Sequence, residues 1–388
     1  MKYIIVGNGV AGVEAALAIR KSDSEGEITI ISESKNLFYY RPRLIEYLAD
    51  EISVDKFTLY KEDHYEKNRI QNVLNTRIVR IDIHKKSVVS EDGREFSYDR
   101  LLLATGALPF MPGVKGADLR GVFSLRGVTD ADSIKEYCRD LTEVTVVGGG
   151  LLGLENAFSL SRLGKRVTVV EFRSWLLPRQ LDEEGGRLLQ RMLEAKGLSF
   201  VLDDSVEILR GQDSVQSVLL KSGREIKTDA VIFSSGIECR GELARQAGLE
   251  VNRGILVDDH LRTSVPDIYA AGDPAEHKGC LYGIWPAARD QGRIAGLNMA
   301  GIPTPYKGTV LSNVLKITGI DLYSAGDFNA SGAEVYSSIS DSSYKKLLLA
   351  EGKVVGIIVL GDADAVKTGQ RVMERGGNPE DFKKLLQS

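Results

Sequence analysis

Apolar and polar positions along this chain follow two rhythms, and the order in which the rhythms alternate predicts an architecture. Lys2-Tyr3-Ile4-Ile5-Val6 is a short apolar run with β-branched residues, broken at once by Gly7-Asn8-Gly9-Val10-Ala11-Gly12. From Val13 to Arg20 apolar residues recur at helical spacing, and Glu27-Ile28-Thr29-Ile30-Ile31 is a second run ending near Glu33. Strand, helix and strand in that order predict a βαβ unit. Val144-Thr145-Val146-Val147, the turn Gly148-Gly149-Gly150-Leu151-Leu152-Gly153, a helix through Leu163 and Val167-Thr168-Val169-Val170-Glu171 repeat the pattern. An internal repeat of this kind signals a duplicated supersecondary unit.

Three further apolar runs end on small-residue turns: Leu101 to Gly106 through Ala104-Thr105, Asp229 to Gly236, and Asp267-Ile268-Tyr269-Ala270-Ala271-Gly272-Asp273. The first is expected to return the chain to the opening sheet, the second to close the repeated unit. Trp285 to Gly292 opens a helix behind Gly272-Asp273. Between residues 50 and 98, Ser87–Ser90 and Glu95–Tyr98 flank Asp92-Gly93, a hairpin signal. From Thr309 onward strands (an alternating stretch from Leu315 to Tyr323, then Lys346 to Leu349 and Val354 to Leu360) precede helices from Ala363 to Glu374 and Pro379 to Leu386. Ala325-Gly326-Asp327 reads as a turn, and Asn378-Pro379 as an N-cap with proline at the first helical position. The expected fold is α/β: two Rossmann-like dinucleotide-binding domains, the second inserted in the first, plus a small C-terminal α+β domain. The boundaries expected are 1–110 with 239–307, 111–238, and 308–388.

Each glycine turn carries chemistry. In G-x-G-x-x-G the first glycine permits the tight turn, the second lets backbone approach a pyrophosphate, and the third allows close helix–strand packing. The phosphates then sit on a helix N-terminus, whose unpaired N–H groups favour an anion. Gly7, Gly9, Val10, Ala11 and Gly12 form one such cradle, and Gly148, Gly150, Leu151, Leu152 and Gly153 the other. Glu33 and Glu171 end the second strand of each unit, where a carboxylate can hydrogen-bond an adenosine ribose. At Glu171 that favours NADH over NADPH, although Arg173 could pair with a 2′-phosphate. Two nucleotides are implied.

Composition narrows the remaining possibilities. At 388 residues, 43% hydrophobic and 27% charged, the chain is expected to be a soluble globular protein of two or three domains. A net charge of −4 argues against nucleic acid or an anionic membrane as partner. No run approaches a membrane span, and no signal peptide is expected from the N-terminal run, which reads as a strand. The three cysteines, Cys138, Cys239 and Cys280, form no metal-binding pattern, so no metal is expected and a reducing cytoplasm is.

The two fingerprints, the Thr105-Gly106 turn and the Gly272-Asp273 closure together resemble the two-dinucleotide-domain flavoprotein disulfide reductase superfamily over essentially the whole chain. Within it, Tyr39-Tyr40-Arg41-Pro42-Arg43-Leu44 and the short C-terminal domain look like the NADH:rubredoxin oxidoreductases and the flavin module of assimilatory nitrite reductases. The resemblance implies FAD on Gly7, Gly9, Gly12 and Glu33; Ala104, Thr105 and Gly106 in the turn after the returning strand, and Gly236 in the turn that ends the second unit, are further cofactor-binding candidates. Asp273 would hold the ribitol, and the helix start at Trp285 the pyrimidine end of the ring. Arg41 and Pro42 match the pair beside the flavin, and Glu155 the glutamate facing the nicotinamide. Where ferredoxin-reductase relatives carry a lysine near the flavin, the motif puts Glu46 here, so that role does not carry over.

The departure with the largest consequence is a missing thiol. Disulfide reductases and water-forming NADH oxidases of the superfamily place cysteine in the stretch occupied here by Leu37 to Leu44, and no cysteine precedes Cys138. Dithiol and peroxide chemistry need such a thiolate. Electrons are therefore expected to leave from the flavin itself, singly, to a small acidic carrier such as rubredoxin or ferredoxin, from a monomer or homodimer. The alternatives are the diaphorase subunit of a nitrite or sulfite reductase system, or a redox-sensing flavoprotein. With no cysteine cluster for sirohaem before Ser388, the diaphorase would need a separate partner. Arg41, Arg43 and Lys345-Lys346 are the candidates for a basic docking rim.

Overall fold

In the computed structural model, which describes residues 1–309, 312–317, 319–328 and 330–386, the run Lys2–Val6 is the central strand of a five-stranded sheet. The order is Ile268–Ala270, Arg100–Leu103, Lys2–Val6, Glu27–Ile31, Ile70–Val73, with every neighbouring pair parallel. Val6 lies opposite both Ile31 and Leu103, and Leu103 opposite Ala270. This register makes Gly7, Ser32, Ala104 and Ala271 leave the sheet side by side at its carboxyl edge. The helix Val10–Ser22 packs on one face, and Tyr3, Ile5, Ile19, Ile30 and Leu102 are buried there. A strand covered on both faces reads as the near-continuous apolar run seen in the sequence.

A second five-stranded parallel sheet has the order Ser199–Val201, Arg166–Val170, Glu143–Val147, Ala230–Phe233, Val122–Ser124. Val147 faces Val170 and Phe233, so Gly148, Glu171 and Ser234 also emerge together. The chain forms two compact units, one of residues 1–43, 52–108 and 236–309, the other of 44–51, 109–235 and 310–388. Helix Leu44–Leu48 thus belongs to the second unit while its flanks belong to the first.

The C-terminal strands form an antiparallel sheet in the order Ser312–Ile317, Ile320–Gly326, Lys353–Leu360, Tyr344–Ala350, Glu334–Ile339. Helix Ala363–Arg375 covers it over a core of Tyr323, Leu347, Ile357, Val359 and Val366. The stretch from Leu315 to Tyr323, expected as one alternating strand, is instead a hairpin. Gly319, at φ +85°, lets the chain reverse there; Thr318 lies outside the described residues. The last expected helix is α-helical only over Pro379–Lys383 and tightens to a 3₁₀ turn at Lys384–Leu386, behind the expected Asn378 cap, whose Oδ1 accepts from Glu380 N at 3.1 Å. The hairpin Ser87–Ser90 with Glu95–Ser97 forms as the Asp92-Gly93 signal predicts. Helices Val128–Cys138 and Glu183–Glu194 are additions to the expected pattern.

Candidate functional site: two glycine cradles

Within the first unit, Gly7 has φ +121°, and a Cβ on it would lie 2.1 Å from the carbonyl oxygen of Ala104. A Cβ on Gly12 would lie 2.0 Å from the carbonyl oxygen of Gly7, so helix and turn touch backbone to backbone. Gly9 behaves differently: a Cβ there meets no atom within 4 Å. It caps helix Val10–Ser22 in an extended conformation without a side-chain hydrogen bond, leaving first-turn N–H groups of Val10 and Ala11 to face the open space. A cradle closed at its outer glycines and open at its middle one fits a pyrophosphate.

Other predicted residues gather around that edge. Arg240 forks onto both carboxylate oxygens of Glu33, its Nη2 reaching Oε2 at 3.1 Å. The backbone N–H of the same arginine donates to Gly106 O at 3.3 Å, and its carbonyl accepts from Thr105 Oγ1 at 3.3 Å. Arg240 therefore ties the Glu33 strand end to the Thr105-Gly106 turn. Trp285 opens helix Trp285–Met299 with Pro286 in its first turn, stacks on Phe38 at 5.8 Å and meets Tyr40 edge-on at 4.9 Å. That contact holds the 3₁₀ turn Arg41–Arg43, with Arg41 and Pro42, against the helix start. Gly272 and Asp273 follow strand Ile268–Ala270 at the same sheet edge. Gly236 has φ +110° and open space at its Cβ position.

The second unit repeats the first cradle. Gly148 has φ +118° and a Cβ position 2.5 Å from Ser234 O; a Cβ on Gly153 would lie 1.9 Å from Gly148 O; Gly150 is open. Leu151 and Leu152 begin helix Leu151–Arg162, and Leu152 is exposed. Glu155, in the second turn of that helix, has its carboxyl pushed up to about 7 by burial, which disfavours the charged form.

Glu171, expected from the sequence to hydrogen-bond an adenosine ribose, has both carboxylate oxygens engaged within the protein as well. It is 4% exposed, accepts from Gly149 N at 2.6 Å with one oxygen and from Arg173 N at 2.9 Å with the other. The amide of a tight turn at a buried strand end needs an acceptor, and Glu171 supplies it. The charge that solvent meets beside it is Arg173, whose guanidinium lies 4.8 Å over the exposed ring of Phe172.

The expected basic rim at Lys345-Lys346 does not form. Consecutive residues of strand Tyr344–Ala350 point to opposite faces. Lys345, side chain 7% exposed, pairs with Asp362 at 3.0 Å and donates to Leu385 O at 2.8 Å. Lys346, 16% exposed, pairs at 2.7 Å with Asp182, which also accepts from Tyr344 Oη and caps helix Glu183–Glu194. Both ammonium groups are committed to internal partners. Glu46 is half-buried in helix Leu44–Leu48.

Cys138 and Cys239 are held as thiols, since burial pushes both up to about 11. Cys239 Sγ donates to Pro274 O at 3.3 Å. Among the described residues no group of three or more histidine, cysteine or acidic side chains is placed to hold a metal, and no helix is long and apolar enough to cross a membrane. Two residues of the first site escaped the sequence reading. Arg240 meets Glu33 across 207 positions, and no local pattern announces such a pair. Gln291 accepts from Gly272 N; its signal was an amide on the buried face of the helix after Gly272-Asp273.

A family model described as pyridine nucleotide-disulphide oxidoreductase matches residues 1–292, and one described as rubredoxin NAD+ reductase C-terminal domain matches residues 312–377. An NAD(P)H nitrite reductase of Bacillus subtilis is 38% identical over 93% of this chain, which spans 46% of that protein. An NADH-rubredoxin oxidoreductase of Clostridium acetobutylicum is 34% identical, with 93% of this chain and 91% of that one covered. The chain thus spans about half the length of some curated relatives and nearly all of others. Among solved structures, the putidaredoxin reductase chain of a covalent complex with putidaredoxin superposes with a TM-score of 0.87 at 26% identity, covering 98% of this chain and 95% of that one.

Proposed function

This chain belongs to the pyridine nucleotide-disulphide oxidoreductase family, and from that premise we propose that it takes a hydride from NADH onto FAD and passes the electrons singly to a small iron protein of the rubredoxin or ferredoxin kind. The observation that carries the reading is the same open-centred glycine cradle built twice, at Gly9 and at Gly150. Bound flavin supplies the conversion between a two-electron donor and a one-electron acceptor. The protein's residues bind and orient.

In this reading residues 1–110 with 239–307 hold FAD, 111–238 hold NADH, and 308–388 face the acceptor. Gly7, Gly9, Val10, Ala11 and Gly12 receive the FAD pyrophosphate, Glu33 with Arg240 the adenosine ribose, and Asp273 the ribitol. Ala104, Thr105, Gly106, Arg41, Pro42 and Trp285 line the flavin, and Gly236 is a cofactor-binding turn at the end of the NADH unit. Gly148, Gly150, Leu151, Leu152 and Gly153 receive the NADH pyrophosphate, and Glu155 faces the nicotinamide. The negative charge of Glu171 works against a 2′-phosphate while exposed Arg173 works for one, so NADH is preferred by a modest margin. Three unpaired thiols suit a reducing cytoplasm.

A second reading is favoured by the nitrite reductase relatives: the chain would be the NAD(P)H-oxidising part of a longer system, delivering electrons to a separate reductase. Stopped-flow oxidation of the NADH-reduced protein by rubredoxin, ferredoxin, oxygen and a disulfide tests both. The iron proteins are expected to react fastest. A protein with Cys138→Ala, Cys239→Ala and Cys280→Ala is expected to turn over at the wild-type rate. Alanine suits Cys138 because that site is 1% exposed and would leave a serine hydroxyl unsatisfied. A hundredfold loss of reoxidation rate in that variant, about 2.7 kcal/mol of barrier, or a faster reaction with the disulfide, would overturn electron exit from the flavin.

A further inference from the structure

Behind the turn that follows strand Ile268–Ala270, the backbone N–H of Gly272 donates to Oε1 of Gln291 over 2.8 Å. Gln291 lies on helix Trp285–Met299 and is 1% exposed. Gly272 has φ +85°, and a Cβ on it would stand 3.0 Å from that of Ala11, in the first turn of the cradle helix. The turn is thus pressed against the phosphate cradle, and its amide points into the protein.

The other end of the Gln291 amide is unusual. Its Nε2 is buried and faces the hydroxyl of Tyr306 without closing a regular hydrogen bond to it. Tyr306 is itself 2% exposed, shares a hydrogen bond with Thr309 Oγ1 at 2.7 Å, and packs against His277 and Tyr282. A buried donor that is only loosely paired is a cost that leucine or methionine of similar size would avoid. What the amide supplies at this position is its oxygen, the acceptor for Gly272 N.

We propose that Gln291 is a positioning residue for the cofactor: by accepting from Gly272 N it fixes the Gly272-Asp273 turn so that the Asp273 carboxylate meets the FAD ribitol. Without that acceptor the Gly272 amide must rotate to find another, and glycine, lacking Cβ, rotates freely and carries Asp273 with it. The proposal rests on the reading of the first unit as the FAD site.

The test is a double-mutant cycle read as equilibrium FAD affinity of the apoprotein, followed by quenching of flavin fluorescence, for wild type, Gln291→Leu, Asp273→Asn and the pair. Gln291→Leu is expected to weaken FAD binding about tenfold or more, and the pair to bind no worse than Asp273→Asn alone, because both remove one interaction. Losses that multiply in the pair would show Gln291 acting elsewhere and overturn the proposal, as would unchanged affinity in Gln291→Leu. Should Gln291→Leu fail to give a folded circular-dichroism spectrum, Gln291→Met, of the same length and also lacking the amide oxygen, is expected to show the same loss and the same cycle. Wild-type apoprotein without affinity for FAD would overturn the reading of the site and this proposal with it. Wild-type affinity combined with an unaffected Gln291 variant would overturn the proposal alone.

Discussion

Gly9→Val is expected to give a folded protein that no longer retains FAD. Gly9 has φ −91° and ψ −175°, extended backbone that any L-residue adopts, so the substitution brings no backbone strain. A Cβ at that position meets no protein atom within 4 Å, so the branched side chain is accommodated and occupies the space in front of helix Val10–Ser22. That space is where phosphate oxygens would take the first-turn N–H groups. Affinity for FAD should fall a hundredfold or more, about 2.7 kcal/mol, while the far-UV circular dichroism of the apoprotein stays that of wild type. The contrast with the flanking glycines sharpens the test. At Gly7 and Gly12 an added Cβ would sit 2.1 and 2.0 Å from backbone oxygens, so valine there damages the fold and the loss of flavin says nothing about the site. Stoichiometric FAD in purified Gly9→Val, read from its flavin absorbance, would remove the basis for placing the pyrophosphate there. Gly150→Val, equally open, should abolish NADH binding and leave FAD bound.

Glu155→Gln is expected to remove a pH dependence from nucleotide binding. Burial raises the Glu155 carboxyl from 4.5 to about 7, so the group is neutral at pH 6 and ionised at pH 8. The nicotinamide of NAD+ carries a positive charge and that of NADH does not. If Glu155 faces the ring, NAD+ affinity rises as pH passes through about 7 while NADH affinity changes little, and the glutamine variant flattens the NAD+ curve. The difference at pH 8 should be about five- to tenfold, on the order of 1 kcal/mol for one charge pair in a partly screened site. Stability moves in the opposite sense. Between 4.5 and about 7 the folded protein keeps a proton that the unfolded chain has lost. The contribution of Glu155 to stability therefore falls as pH rises through that window and is at its minimum above it. Glu155→Gln should accordingly gain stability over wild type as pH rises from 5 to 8, measured by denaturant unfolding. An NAD+ titration with the same pH profile in both proteins would show that Glu155 does not face the ring.

Much of the fold was legible because its signals are local. A glycine turn, the helix behind it and the strands on either side lie within about thirty residues, and their geometry follows from what glycine backbone can do at Gly7 and Gly12 and at Gly148 and Gly153. The parallel register then follows from short apolar runs buried on both faces. The hairpin at Gly319 was less legible, since alternation continues through a two-strand turn as it would along one strand.

The sequence by itself determined that two such units exist, that each carries a glutamate just past its second strand, and that no cysteine stands between Leu37 and Leu44. Only the tertiary structure decided what the charged side chains do. Glu33 is met by Arg240 from 207 positions away, Glu171 turns inward onto the amides of Gly149 and Arg173, and Lys345 and Lys346 are spent on Asp362 and Asp182. The physical reason is reach. Backbone conformation is set by neighbours in the chain, whereas a charge or an amide seeks its partner in space, and a buried one must find it wherever the packing has brought an acceptor or a counter-charge.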